Sequence, residues 1–184
     1  LNRLNRVKKE VENIVFKKLF QKKIKIYNKD KKNILNSFHK YLSLSELNKF
    51  RMSTYNHLNS KSWFLENYFD IAKDKIEIIC GNELAMQRKV NLSIQFPKDD
   101  SSLLPIHSDV WSGCSPYEVV LWVPLVNVNK TKSMFILDKK NNKNFYKNFY
   151  KFENSEKLQK SIDKKINWLK IKYGQALIFS HQLV

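Results

Sequence analysis

Two side chains that can share a metal ion stand two residues apart, His107 and Asp109, in the run Leu104-Pro105-Ile106-His107-Ser108-Asp109-Val110-Trp111-Ser112-Gly113. On an extended backbone, residues i and i+2 project from the same face. A neutral imidazole nitrogen and a carboxylate oxygen then converge on one point. Two imidazoles and one carboxylate on a face leave three positions of an octahedral ion open, which suits Fe(II) with a keto acid and oxygen. A bare His-x-Asp is a weak signal, because an ordinary surface ion pair is spelled the same way. Its setting strengthens it: a Trp-Ser-Gly turn follows, and then the apolar run Val119-Val120-Leu121-Trp122-Val123-Pro124-Leu125. His39 and His57 lie in helical sequence and read as surface or satisfied histidines.

The elements that must position this pair divide into two kinds. In the first half the pattern is helical. Val7, Val11, Ile14, Val15, Lys18 and Leu19 form a stripe of period near 3.6. Further helices are expected over Ile34 to Leu42, from Glu46 with Ser45 as cap, over Trp63 to Ala72, and onward through Asn82 to Arg88. The period then changes to two. Val90, Leu92, Ile94 and Phe96 alternate with Asn91, Ser93 and Gln95, predicting a strand. Short strands are also expected over Ile106 to Val110, Glu118 to Val126, Ser133 to Leu137 and Gln175 to Ser180, with a helix inserted over Glu153 to Leu169. Helices followed by short consecutive strands point to an α+β chain with an antiparallel sandwich or jelly roll. No repeat and no domain boundary stands out. Residues 1–184 read as one domain, with 1–89 mainly helical and 90–184 forming the jelly-roll core.

From Asn91 to Leu137 the chain resembles the 2-oxoglutarate and Fe(II)-dependent oxygenases, in particular their phytanoyl-hydroxylase-like branch. Three motifs carry the likeness: Asn-Leu-Ser-Ile-Gln at 91–95, His-Ser-Asp-Val-Trp-Ser-Gly at 107–113 and Thr-Lys-Ser-Met at 131–134. More narrowly they look like a subgroup associated with bacterial surface-carbohydrate gene clusters. The resemblance implies a double-stranded β-helix, a cupin-like jelly roll with the metal at one mouth. It implies Fe(II), 2-oxoglutarate and O2, and oxidation, typically hydroxylation, of a small molecule such as a sugar or sugar conjugate. His107 and Asp109 would be iron ligands. The family's distal His would fall just past Val184, so the last strands and third ligand are expected to be missing and the chain as given to be inactive; His181, nearer to Gly174, is the candidate within the chain. No Arg follows His181 to hold the far carboxylate of 2-oxoglutarate, a place that Lys132 can take. Gln95 and Asn91 are candidates for contacts to the cosubstrate, and Trp111 for a wall of the substrate pocket. Cys114 lies nearby but is expected in a core or loop role.

Composition bounds the alternatives. Hydrophobic residues make up 42% of the 184, enough for a real core. No run is apolar enough to span a membrane, and the charged start does not read as a signal peptide. Cys80 and Cys114 form no zinc-type spacing, and a reduced cytoplasmic protein is the default. The net charge of +17 comes from lysine, since Arg3, Arg6, Arg51 and Arg88 are the only arginines. The lysines are scattered, unlike the Arg-rich clusters of nucleic-acid binders; they read as a solvated basic surface or as an attraction for an anionic substrate such as a phosphate-bearing sugar. Two other classes compete with the oxygenase: a non-catalytic basic protein binding nucleic acid or another anionic surface, and a cupin-type metal-dependent sugar-modifying enzyme. The first does not account for His107-x-Asp109. The second usually needs several clustered histidines, which the chain lacks.

Overall fold

A computed structural model describes residues 1–99, 104–151, 153–162, 166 and 168–184. The chain is mixed α and β, about half helical, with one small antiparallel sheet. It forms two compact units, Leu1–Asp99 and Asp100–Val184. Among the described residues no helix is long and apolar enough to cross a membrane.

The first unit is built on α1 (Asn2–Gln21), which buries Leu4, Val7, Val11, Val15 and Leu19 along the stripe read from the sequence. Two short helices, α2 (Asn28–Lys31) and α3 (Ile34–Ser37), lead into a 3-10 turn at Phe38–Lys40 and then α4 (Leu44–Asn59). The cap of α4 is Ser43 rather than Ser45. Glu46 reaches back to accept hydrogen bonds from the Ser43 backbone N–H at 3.2 Å and hydroxyl at 2.9 Å, the reciprocal arrangement that satisfies orphan groups at a helix start. Its carboxylate also pairs with Lys22. That lysine, followed by the two Ser43 donors, lowers the Glu46 pKa to about 2. α5 (Phe64–Phe69) and α6 (Lys73–Cys80) follow. The helix expected over Asn82 to Arg88 does not form. Gly81 ends α6 at φ 86, ψ −176, a conformation open essentially to glycine alone.

The segment 90–96 is a second correction. Its burial alternates as expected, with Val90 and Phe96 buried and Asn91, Ser93 and Gln95 exposed. No strand forms, however, because side chains of α4 occupy its backbone polar groups. Asn59 donates to the Val90 carbonyl at 3.0 Å and accepts from the Val90 N–H at 2.8 Å, and Arg51 donates to the Ile94 carbonyl at 2.8 Å. The buried polar groups are thus satisfied without a neighbouring strand. Phe96 completes a core with Val15, Leu19, Ile34, Phe38, Leu42, Leu47 and Phe50.

In the second unit the sheet pairs β1 (Val119–Trp122) with β2 (Leu177–Ser180), antiparallel, Val119 opposite Ser180. Val128 and Ile171 bridge further along in the same register. Between them Pro124 is buried and has no N–H to give to a ladder. The connection between the paired segments carries α7 (Lys139–Lys147), which the sequence did not suggest, and α8 (Ser155–Ile162). Asp138 caps α7, accepting from the Asn141 N–H at 2.9 Å. The helix expected over Glu153 to Leu169 is shorter than that. Trp168 bridges Phe135, and the Leu169 N–H donates to the Met134 carbonyl at 3.0 Å. The expected strand Ser133 to Leu137 is therefore reduced to one bridge, with the Leu137 N–H donating to the Val184 carbonyl at 2.7 Å. Ile106, Leu137, Phe145, Leu158, Ile162 and Val184 form this unit's core.

Asp30 gives a pH test of the first unit. Buried at 4% exposure, it accepts from Lys40 Nζ at 2.8 Å and from the Tyr41 hydroxyl at 2.7 Å. These donors, Lys40 foremost, lower its pKa from 3.8 to about 2 against the opposing effect of burial. A carboxylate whose folded pKa is depressed stabilises the fold above its unfolded pKa, and that contribution disappears as pH falls through the folded value. Asp30→Asn is therefore expected to lower the melting temperature near neutral pH, with the gap to the parent closing between about pH 4 and pH 2. Melting curves across that range check it; a gap independent of pH would refute the assignment.

Candidate metal centre

The Ile106 to Val110 strand is not present as such. Ser108 is extended (φ −122, ψ 137), and Asp109–Ser112 turns as a 3-10 helix ended by Gly113 at φ 92. One extended residue suffices to bring its two neighbours together: His107 Nε2 lies 3.6 Å from Asp109 Oδ1. His107 Nδ1 lies 2.7 Å from the Pro105 carbonyl oxygen. A carbonyl can only accept, so Nδ1 carries a proton; when the ring is neutral, Nε2 presents its lone pair. In that state two acceptors face each other across 3.6 Å.

His181 arrives at the same place from the other end of the unit. The pairing of Val119 with Ser180 continues by one step, so that the His181 N–H donates to the Glu118 carbonyl at 3.4 Å. The His181 carbonyl in turn accepts from the buried Ser108 hydroxyl at 2.7 Å and the Val110 N–H at 3.4 Å. Tyr146 donates its hydroxyl to the Gln182 carbonyl at 2.7 Å and lies 3.1 Å from Ser108 Oγ. This network sets the His181 ring between two carboxylates: Nε2 is 4.0 Å from Asp109 Oδ2, and Nδ1 is 3.4 Å from Glu118 Oε2. Nδ1 is buried and makes no hydrogen bond.

His107, Asp109 and His181 thus meet around the Asp109 carboxylate, although the sequence spacing placed His181 in a mere turn. Trp111 follows within the 3-10 turn, partly exposed, and packs on Phe149 and Phe145 with ring centroids 5.1 and 5.5 Å away. Lys132 is exposed in a separate turn, Lys130–Lys132. Asn91 and Gln95 are exposed residues of the first unit. Sequence reasoning gave Cys114 a core or loop role and did not single out Glu118. Among the described residues, Cys114, Glu118 and His181 form a group whose ligand atoms all lie within 4.8 Å of one another. Only the β1–β2 register, which is invisible in the sequence, reveals that Glu118 faces His181. Beside this group an open depression is lined by Val110, Cys114, Pro116, Tyr146 and Gln182.

No family model, curated protein or solved structure matches the chain.

Ser108 tests the network. Ser108→Ala removes the shorter of the two donors to the His181 carbonyl. It is expected to destabilise the second unit by about 1–3 kcal/mol, the cost of leaving a buried acceptor poorly satisfied. Urea denaturation followed by tryptophan fluorescence measures it, and an unchanged midpoint would show that the hydroxyl contributes nothing.

Proposed function

We propose that the chain supplies two iron ligands of an Fe(II)- and 2-oxoglutarate-dependent oxygenase of a small molecule, a sugar or sugar conjugate. One observation carries this reading: His107 Nε2 and Asp109 Oδ1, both acceptors when the ring is neutral, face each other at 3.6 Å with the ring fixed by the Pro105 carbonyl. A cation between them satisfies both, and a backbone carbonyl behind a histidine is the usual means of orienting a metal ligand. His107 and Asp109 would hold the iron. When bound, it supplies oxygen activation coupled to decarboxylation of the keto acid.

The remaining roles belong to the chain's own side chains. His181 faces the second oxygen of Asp109 at 4.0 Å and limits the rotation of that carboxylate. Trp111, held by Phe145 and Phe149, offers a partly exposed ring beside the ligands, suited to covering a sugar face. Lys132 would meet the far carboxylate of 2-oxoglutarate as a point charge. The surplus of lysine, net charge +17, favours a substrate that carries phosphate or another anion. The interrupted ladder joining 118–128 to 171–181 would supply two strands of a double-stranded β-helix.

Anaerobic titration with Fe(II) and 2-oxoglutarate tests the proposal, read by the weak visible charge-transfer band of an iron-bound keto acid. The natural full-length protein is expected to show the band and its Asp109→Ala variant to lose it. In Lys132→Ala the concentration of 2-oxoglutarate needed should rise roughly tenfold or more, the equivalent of one lost charge-assisted hydrogen bond. A folded full-length protein that gives no band would end the oxygenase reading.

A further inference from the structure

We infer that Cys114, Glu118 and His181 form a second metal site, distinct from the His107–Asp109 pair, for a zinc-class divalent ion. A thiolate, an imidazole and a carboxylate are a donor set that zinc accepts in tetrahedral sites, and the thiolate disfavours the hard cations that prefer oxygen alone. The three ligand atoms lie within 4.8 Å of one another. Bonds of about 2.3 Å to sulfur and about 2.0 Å to nitrogen and oxygen require only a modest closure. Glu118, whose side chain is 57% exposed, has the freedom to make it.

Two further observations point to a ligand here. His181 Nδ1, the nitrogen facing Glu118, is buried and makes no hydrogen bond, an arrangement that costs free energy unless something binds it. The other nitrogen lies 4.0 Å from Asp109 Oδ2, so a carboxylate stands on the side of the ring away from Glu118, where a carboxylate orients a ligating imidazole once it closes to hydrogen-bond distance. The backbone brings the donors together independently of any ion. The turn at Gly113 lets the Cys114 N–H donate to the Asp109 carbonyl at 3.3 Å, and the Glu118 N–H closes the next turn on the Ser115 carbonyl at 3.2 Å. With three protein donors one position stays open, and Cys114 borders the depression shared with Val110, Pro116, Tyr146 and Gln182. A water or a small anionic ligand can occupy that position. The inference does not depend on the oxygenase reading.

Co(II) is the probe, because a sulfur-to-cobalt charge-transfer band in the near ultraviolet reports thiolate ligation and the His107–Asp109 pair contains no sulfur. The whole chain is expected to develop the band with one equivalent of Co(II) and to lose it on addition of Zn(II). Cys114→Ser should abolish the band, Glu118→Gln should weaken Co(II) binding at least tenfold, and Cys80→Ser and His107→Ala should leave both band and affinity unchanged. Near-ultraviolet circular dichroism checks that each variant is folded; Glu118→Gln, at an exposed position, serves if Cys114→Ser is not. The site is wrong if the parent shows no band, if the band survives Cys114→Ser, if Glu118→Gln binds as the parent does, or if His107→Ala loses it.

Discussion

The grip on the His181 carbonyl holds the second unit's chemistry in place. Ser108 Oγ and the Val110 N–H both donate to that one oxygen, and Ser108 lies between His107 and Asp109, whose side chains face each other. The same bonds therefore fix the His107–Asp109 segment and the end of β2. Hydrogen bonds to a part-buried acceptor favour a single arrangement more than their net energy suggests, because leaving the acceptor empty costs part of its desolvation penalty. The ladder supplies the other constraint. Its register carries His181 one step past Ser180 and sets it against Glu118. From these two constraints follows the position of an imidazole ring between two carboxylates.

Local patterns were legible where the local residues decide the outcome. The stripe of Val7, Val11, Ile14, Val15, Lys18 and Leu19 reads as a helix and is one, with Val7, Val11, Val15 and Leu19 buried, since an amphipathic period needs no knowledge of the partner. The pairing of His107 with Asp109 was also legible, because it requires only that Ser108 be extended. Strands were less so. The alternation from Val90 to Phe96 fixes which side chains are buried, but not what binds the backbone, and here Asn59 and Arg51 do so in place of a strand. A strand is a statement about a distant neighbour, and a two-residue period cannot name it. The relation of Cys114 and Glu118 to His181 stayed hidden for the same reason: it exists only through a register between segments some sixty residues apart.

The charge pattern shows the same division between local and distant causes. Lysine dominates the sequence, yet the shifted carboxyls of the first unit are those with particular cationic partners, Asp30 with Lys40 and Glu46 with Lys22. Exposed lysines elsewhere set a diffuse field rather than a structure, and their influence fades with added salt.

The long connection between β1 and β2 has a kinetic consequence. The donors at 107–118 and the donor at 181 lie on either side of a span containing α7 and α8, so the chain must close a large loop before they meet. Closure of that kind is entropically costly and delays non-local pairing relative to helix formation. The residues around His181 therefore assemble late, after the helices of the insert, and an ion that needs donors from both segments binds only the finished unit. A metal held at the proposed site would act as a latch on the last step of folding: it would slow the reopening of β1 from β2 more than it would speed their first encounter.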